Sequence, residues 1–489
     1  MKRATRGGRR LPVEEVLEHL RAANRFPSGD ARREAAQRRA ARTVAADPAV
    51  AEHPAVAHSR ITLLRWARFA PYLLGDEQET ALATTNRQLV SSQLEVLRTL
   101  DDEPATALAT ADGALRELDA GDPARRLAAD IAAHAITDRR APTAAAVLAA
   151  LAACHLADDR RRGIADWRTR FALVQGTTPD TLAHLQAATR EARDLVATWW
   201  RVRAPFAGDR YCDRRVGLAA PTASLAEHAA NAAAGVAAAS HALAGASRAA
   251  AGRIRPGADN EVVIEADGRI SATVSHRPTP RGSLMVAHEL GHTVHALSSQ
   301  SPEPPGALVG ETVACWSSLV VGRGATVSGG DAALALALGD TLVEELFVSA
   351  AVSAFEDSVY ALAAAGPVSA DELAAAWLAA HRDLFGAVVE VPPHVASGWA
   401  RLPSLATDPG HALSYVWATV LALAIAARYR HDDNGSIAMA ICAGGIDADE
   451  FTALLGFAGD EWIELGIGGL REELDRLAQL LSRAVRPSG

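Results

Sequence analysis

"VAHELGHTVHALSS" (286–299) places His288, Glu289, His292 and His295 within one short stretch of an alanine-rich chain. An α-helix turns about 100° per residue, so His292 lies about 40° from His288 and His295 about 20° to the other side. The three imidazoles therefore share one stripe, with Glu289 beside it. Two neutral imidazoles one turn apart form a zinc ligand pair, and the adjacent carboxylate can take a proton from water that the metal activates. Gly291 leaves room for close approach at this level of the helix. The plain alternative, histidines of a surface or core with no ligand, meets an obstacle in the spacing. Among 489 residues with 16 histidines, an HExxH pattern arises by chance in only roughly a few per cent of chains.

A catalytic zinc takes three protein ligands. His295 lies nearly two turns from His288, too far along the axis to complete a compact set, so contact with a ligand or with substrate suits it better. Two downstream carboxylates compete for the third place. Glu303 lies in the proline-rich "SPEPPG", whereas Glu311 opens the helical run "LVGETVACWSSLVV". A helix holds a ligand more firmly than a loop, which favours Glu311.

Ahead of this helix, "EVVIEADGRISATVSH" (261–276) alternates β-branched residues about a turn signal and predicts a hairpin. Its second strand could pair with an extended peptide or simply be internal to the hairpin, and His276 and Arg281 near its end are candidate contacts for a peptide carboxylate. Ser283 is the predicted N-cap of the histidine helix. The alanine-dominated 227–251 predicts one long helix. From residue 11 to 200 the pattern is helix after helix, as in 59–74 and 79–100, broken at "GDEQ", "DDEP" and "AGDPARR". The irregular 201–221 marks a boundary. The expected organisation is a disordered basic tail (1–10), a helical N-terminal domain (11–200) and a catalytic domain (201–489).

The net charge of −9, with Lys2 the sole lysine, argues against a nucleic-acid partner, which needs a concentrated basic surface. The basic "MKRATRGGRR" is followed by a charged amphipathic stretch and not by the apolar core of a secretory signal. No unbroken strongly apolar run reaches bilayer-spanning length, so no membrane partner is expected. Four scattered cysteines, Cys154, Cys212, Cys315 and Cys442, suggest neither a disulfide framework nor a thiolate metal site and fit the cytoplasm.

Several segments together resemble the thimet oligopeptidase family of zinc metallopeptidases (gluzincins), and oligoendopeptidase F most of all. "LMVAHELGHTVHALSS" resembles its HExGHxxH helix and "LVGETVACWSS" the segment carrying the glutamate ligand. "YCDRRVGLAAP" (211–221), "ASGWARLPS" (396–404) and "ALSYVWAT" (412–419) are similar to further stretches of the catalytic domain, and "RWARFAPYLLGDEQE" (65–79) to part of the N-terminal one. The resemblance implies a mainly α, two-lobed, zincin-type metallopeptidase with a small β-hairpin or sheet beside the HExxH helix and a deep channel for short unstructured peptides. It implies one Zn2+ per chain on His288, His292 and Glu311, Glu289 as general base, and Tyr415 as donor to the oxyanion, with His411 the candidate for an assisting histidine. The chain departs from the family in a shorter loop before Glu311, in Ser404 where a histidine is common, and in Ala412 and Leu413 where further tyrosines occur. Those departures motivate an alternative, a maturation enzyme dedicated to one peptide or amide. Dipeptidyl carboxypeptidase action and a non-catalytic zinc-containing binding protein are the other readings. The oligomeric state is not encoded in any feature identified.

Overall fold

The histidine stretch sits on a helix spanning Pro280–Ser298, started by local chemistry. Thr279 is the N-cap: its hydroxyl accepts from the Gly282 amide at 3.1 Å, and Pro280 follows at the first helical position. This corrects the expectation of Ser283 as the cap. Ser283 lies inside the first turn, its hydroxyl bonded to the Pro280 carbonyl. The helix ends at Ser298, with Ser299 extended beyond it.

The computed structural model describes residues 12–485 apart from 24–30, 52, 54, 57–59, 102–121, 219, 221–222, 258–259, 265–268, 300–305, 430–434 and 445. The basic tail at 1–10 and Glu303 lie outside the described residues. The rest is mainly helical, with one three-stranded sheet.

The predicted hairpin is present: β2 (Glu261–Ile264) runs antiparallel to β3 (Ile270–Val274), with Val262 opposite Ala272. A short strand unforeseen from sequence, β1 (Ile254–Pro256), pairs parallel with the other side of β3. β3 is therefore the central strand, paired on both sides, and is not free to bind a peptide. Ala272 and Val274 are fully buried where β3 packs on the His288 helix.

Upstream, the alanine-rich segment forms two helices, Leu225–Ala239 and Ala244–Ala251, with a 3-10 turn at His241–Leu243 between them. Ser224 and Glu227 form a reciprocal cap at the first of them. Asp122 caps the 40-residue helix Pro123–Arg162, as the "AGDPARR" break suggests.

Two separate apolar clusters hold the chain together. A small one joins Val16 and Leu20 of the helix Pro12–Ala23, Val44 of Ala31–Ala46, Val56 of the connection that follows and Leu63 of Arg60–Phe69. The large one is continuous from Ala141 to Leu481 and contains Trp199, Trp399, Trp417 and Trp462. Leu284, Val286, Leu290 and Val294 seat the His288 helix in it, each contributing roughly 1.5–3 kcal/mol by burial.

The His288 helix packs on Ala307–Gly329, which carries Glu311, and that helix packs in turn on His411–Arg428, which carries Tyr415. Gly291 permits the first contact: a β-carbon there would stand 2.7 Å from Ala314 Cα and 2.8 Å from the Val313 carbonyl oxygen. Overpacking of this kind typically costs about 1–3 kcal/mol and would push Glu311 away from the histidines. Pro123–Arg162 and His411–Arg428 are long and apolar enough to cross a bilayer by length and composition, which the sequence reading did not anticipate. In His411–Arg428 the apolar stretch is 72% buried within the molecule, the pattern of a helix surrounded by its own core.

Candidate metal centre

Three neighbouring helices deliver the site. His288 Nε2 lies 3.3 Å and His292 Nε2 3.7 Å from the same carboxylate oxygen, Glu311 Oε2. One donor atom from each of the three side chains falls within 4.8 Å of the other two. The imidazoles meet edge to face at 4.9 Å between centroids. The packing forced close by Gly291 is what brings a carboxylate from a second helix onto the histidine stripe.

Glu311 Oε2 is buried, and no well-directed hydrogen bond reaches it. A buried carboxylate oxygen in that condition is costly unless a cation faces it. Two imidazoles and one carboxylate also form a known catalytic zinc donor set. The residues present thus fit a divalent metal on both counts.

The charges of the metal-free site point the same way. Burial opposes ionisation of Glu311, but His292 and His288 outweigh it and draw the carboxyl down to about 2. Burial likewise opposes the imidazolium of His288, yet Glu311 lifts it to about 9. Burial dominates at His292 and lowers it to about 4. A proton on His288 is here the counter-charge to Glu311, a place that a metal ion takes when it binds.

Glu289 is 5% exposed, and burial raises its carboxyl to about 7, close to the value wanted in a general acid–base group near neutrality. The Tyr415 ring stacks on His288 at 6.0 Å, and burial raises its phenol well above the usual value, so it stays protonated. His411 stands edge-on to Tyr415 at 5.2 Å, and Asp408, with its carboxylate 3.4 Å from Nδ1, raises its pKa. The helix bearing both begins at Gly410, whose φ of 86° and contact with Phe171 leave no room for a side chain. Glu356 accepts the Gly410 amide at 2.9 Å and fixes that corner.

The structure therefore brings His288, Glu289, His292, Glu311, His411 and Tyr415 into one site. His295 stands apart from it: it is 3% exposed, its Nδ1 has no hydrogen-bond partner, and burial lowers it to about 4. His276 bonds His228 at 3.0 Å and Arg281 pairs with Glu344, so both have protein partners. Two residues near His288 escaped the sequence reading, Cys315 and Glu345, which with His288 form a second close group of potential donors. Glu345 had a visible signal, an acidic pair in the apolar run "LALALGDTLVEELFVSAAV".

The fold has known counterparts. It matches oligoendopeptidase-F from Enterococcus faecium with a TM-score of 0.67 at 15% identity, covering 96% of this chain and 91% of that one. PZ peptidase A, in complex with an inhibitor, matches at 0.67 and 13% identity, covering 97% and 99%. A protein of Chlamydophila abortus named as a peptidase matches at 0.69 and 14%, covering 95% and 88%. No family model and no curated protein matches the sequence. The architecture is thus that of the oligoendopeptidase F type peptidases, as the resemblance implied.

Proposed function

We propose that this protein is a zinc-dependent oligopeptidase that hydrolyses internal bonds of short unstructured peptides. The observation that carries the reading is the meeting of His288, His292 and Glu311 around one unsatisfied carboxylate oxygen. The fold shared with peptidases supports it.

His288, His292 and Glu311 would hold the metal, which when bound would supply Lewis acidity. Glu289, one residue from the first ligand, takes the proton from the attacking water and passes it to the departing amine. The Tyr415 hydroxyl donates to the oxyanion that develops on the former carbonyl, a contact worth about 3–4 kcal/mol for one good donor. His411, kept basic by Asp408, stands beside the phenol and steadies the same negative charge. All four cysteines are free, consistent with a reducing compartment, and we place the enzyme in the cytoplasm.

The decisive test compares wild type with Glu289→Gln for bound zinc and for cleavage of a mixed set of short quenched-fluorescent peptides. Both proteins should carry stoichiometric zinc, with turnover in the variant reduced by roughly 10²–10⁴. Normal turnover in the variant rules out the mechanism, and zinc without cleavage in wild type rules out the oligopeptidase. Amidating the peptide C-terminus should leave the rate unchanged, whereas loss of cleavage would indicate carboxypeptidase action.

A further inference from the structure

The helix carrying His411 and Tyr415 departs from the turn "DPGH" (408–411). His411 donates its amide to the Asp408 carbonyl at 3.1 Å across the turn, and Gly410 has φ 86° and ψ 1°. With proline second and a positive φ third, this is a type II turn, which accounts for the glycine. The Gly410 carbonyl then accepts the Ser414 amide at 3.0 Å and opens the helical ladder.

The Gly410 amide belongs to the group at a helix start that finds no partner within the helix. A capping residue normally supplies an acceptor from its own side chain, and glycine has none. Here the acceptor comes from elsewhere in the fold: it is Glu356 Oε1, 2.9 Å away, on the helix Ser349–Ala365. Glu356 is 3% exposed, and the bond to Gly410 is buried. Phe171, on the helix Trp167–Gln175, occupies the place where a side chain at Gly410 would stand. The corner is therefore held at its amide by one helix and hemmed in at its α-carbon by another.

We propose that Glu356 is a positioning residue for the oxyanion-facing pair: by accepting the Gly410 amide it ties the start of that helix to Ser349–Ala365 and so keeps His411 and Tyr415 in place beside His288. This inference rests on the oligopeptidase reading above and deepens it. A buried amide that loses its acceptor costs about 1–3 kcal/mol, so without Glu356 the turn shifts toward water. His411 is the first residue of the helix and Tyr415 lies one turn further, stacked on the His288 ring at 6.0 Å. A displacement of about 1 Å at such groups can cost roughly 10²-fold in rate.

Burial outweighs the Gly410 amide and lifts the Glu356 carboxyl to about 8, so near neutrality glutamine matches both its charge and its acceptor. Glu356→Gln should therefore keep the wild-type kcat. Glu356→Met keeps the length and packing without an acceptor oxygen and should lower kcat by up to roughly 10²-fold, with KM and bound zinc little changed. In the Tyr415→Phe background the same substitution should cost less, because its effect passes through that hydroxyl. Wild-type kcat in Glu356→Met, an equal loss in the glutamine and methionine variants, or full additivity with Tyr415→Phe overturns the proposal. Should Glu356→Met not fold, Glu356→Asp, one methylene short of the amide, takes its place with the same expectation. A readout independent of cleavage is the 19F spectrum of protein labelled with 3-fluorotyrosine at its 5 tyrosines, with the Tyr415 signal assigned by its loss in Tyr415→Phe. That signal should shift in Glu356→Met and stay in Glu356→Gln; an unmoved signal in Glu356→Met overturns the proposal. The two readings separate in wild type: absence of peptide cleavage ends the oligopeptidase and leaves Glu356 to be judged on the fluorine signal.

Discussion

Among the described residues, two buried clusters of histidine and carboxylate invite comparison, and they differ in how well they suit a metal. In the first, His288 and His292 face Glu311 Oε2, and the groups that shift their pKa values are carboxylates and other histidines. In the second, Asp130 lies between His134 and His394: His394 Nε2 is 2.7 Å from one carboxylate oxygen and His134 Nε2 is 3.8 Å from the other. Asp130 and His134 are 2% and 3% exposed, so burial does not distinguish the clusters. The neighbours do. Arg401 and Arg214 press on His134, and one turn before Asp130 stands Arg126, paired with Asp213 at 2.8 Å. Fixed cations neutralise the second cluster from within and repel any added one, while the first keeps a buried carboxylate oxygen that no directed hydrogen bond reaches. Residue type and count are alike; the surrounding charge decides.

The largest expected effect tests that contrast directly. Glu311→Ala should reduce zinc affinity by more than the ~100-fold expected for a residue that only orients a ligand, and peptide cleavage should vanish with the metal. His394→Ala should leave zinc stoichiometry and affinity unchanged. Its effect falls on stability, by about 1–3 kcal/mol, since buried Asp130 loses its shortest hydrogen bond. Metal analysis and urea unfolding of both variants check this, and zinc loss in His394→Ala would erase the distinction between the clusters.

A smaller effect separates roles within the first cluster. Tyr415→Phe keeps the ring stacked on His288 and removes only the hydroxyl. With zinc retained, kcat should fall roughly 10²–10³-fold while KM changes little. A fall of less than tenfold would reduce Tyr415 to a packing partner of the imidazole.

The first cluster was legible in the sequence because its chemistry is local. His288, Glu289 and His292 lie on one helix, where spacing alone fixes the face, and Glu311 lies in the second turn of the next helix. The hairpin was legible for the same reason, its alternation being a property of neighbouring residues. What escaped depends on tertiary structure or on competing local signals. β1 has only three residues and ends in proline, too short for alternation to register. Thr279 and Ser283 both offer a capping hydroxyl, and Pro280 was the signal that favoured the former. Glu345 lies within a π-helical turn, where a wheel of 100° per residue does not hold. The Asp130 cluster joins residues from distant parts of the chain and leaves no local pattern to read.

The smallest effect concerns pH and again sets the two clusters against each other. Burial first, and Arg401 second, lower His134 to about 3, against 6.5 for an ordinary histidine. Below pH 6.5 the unfolded chain therefore takes up a proton that the folded chain refuses, and stability contributed by neutral His134 is lost progressively as pH falls toward 3. The slope from one such group is at most about 1.4 kcal/mol per pH unit. His292 and His295, lowered to about 4, act with the same sign in the metal-free protein. Zinc separates the contributions, because it competes with protons at His288 and His292 but not at His134. Urea unfolding from pH 7 to 4.5 should show a shallower acid-side slope in His134→Gln than in wild type. The difference should persist with zinc present, since His134 lies outside the metal's reach. Equal slopes in the two proteins would mean that His134 titrates normally in the fold, and the arginines around Asp130 would then not be what sets the second cluster apart.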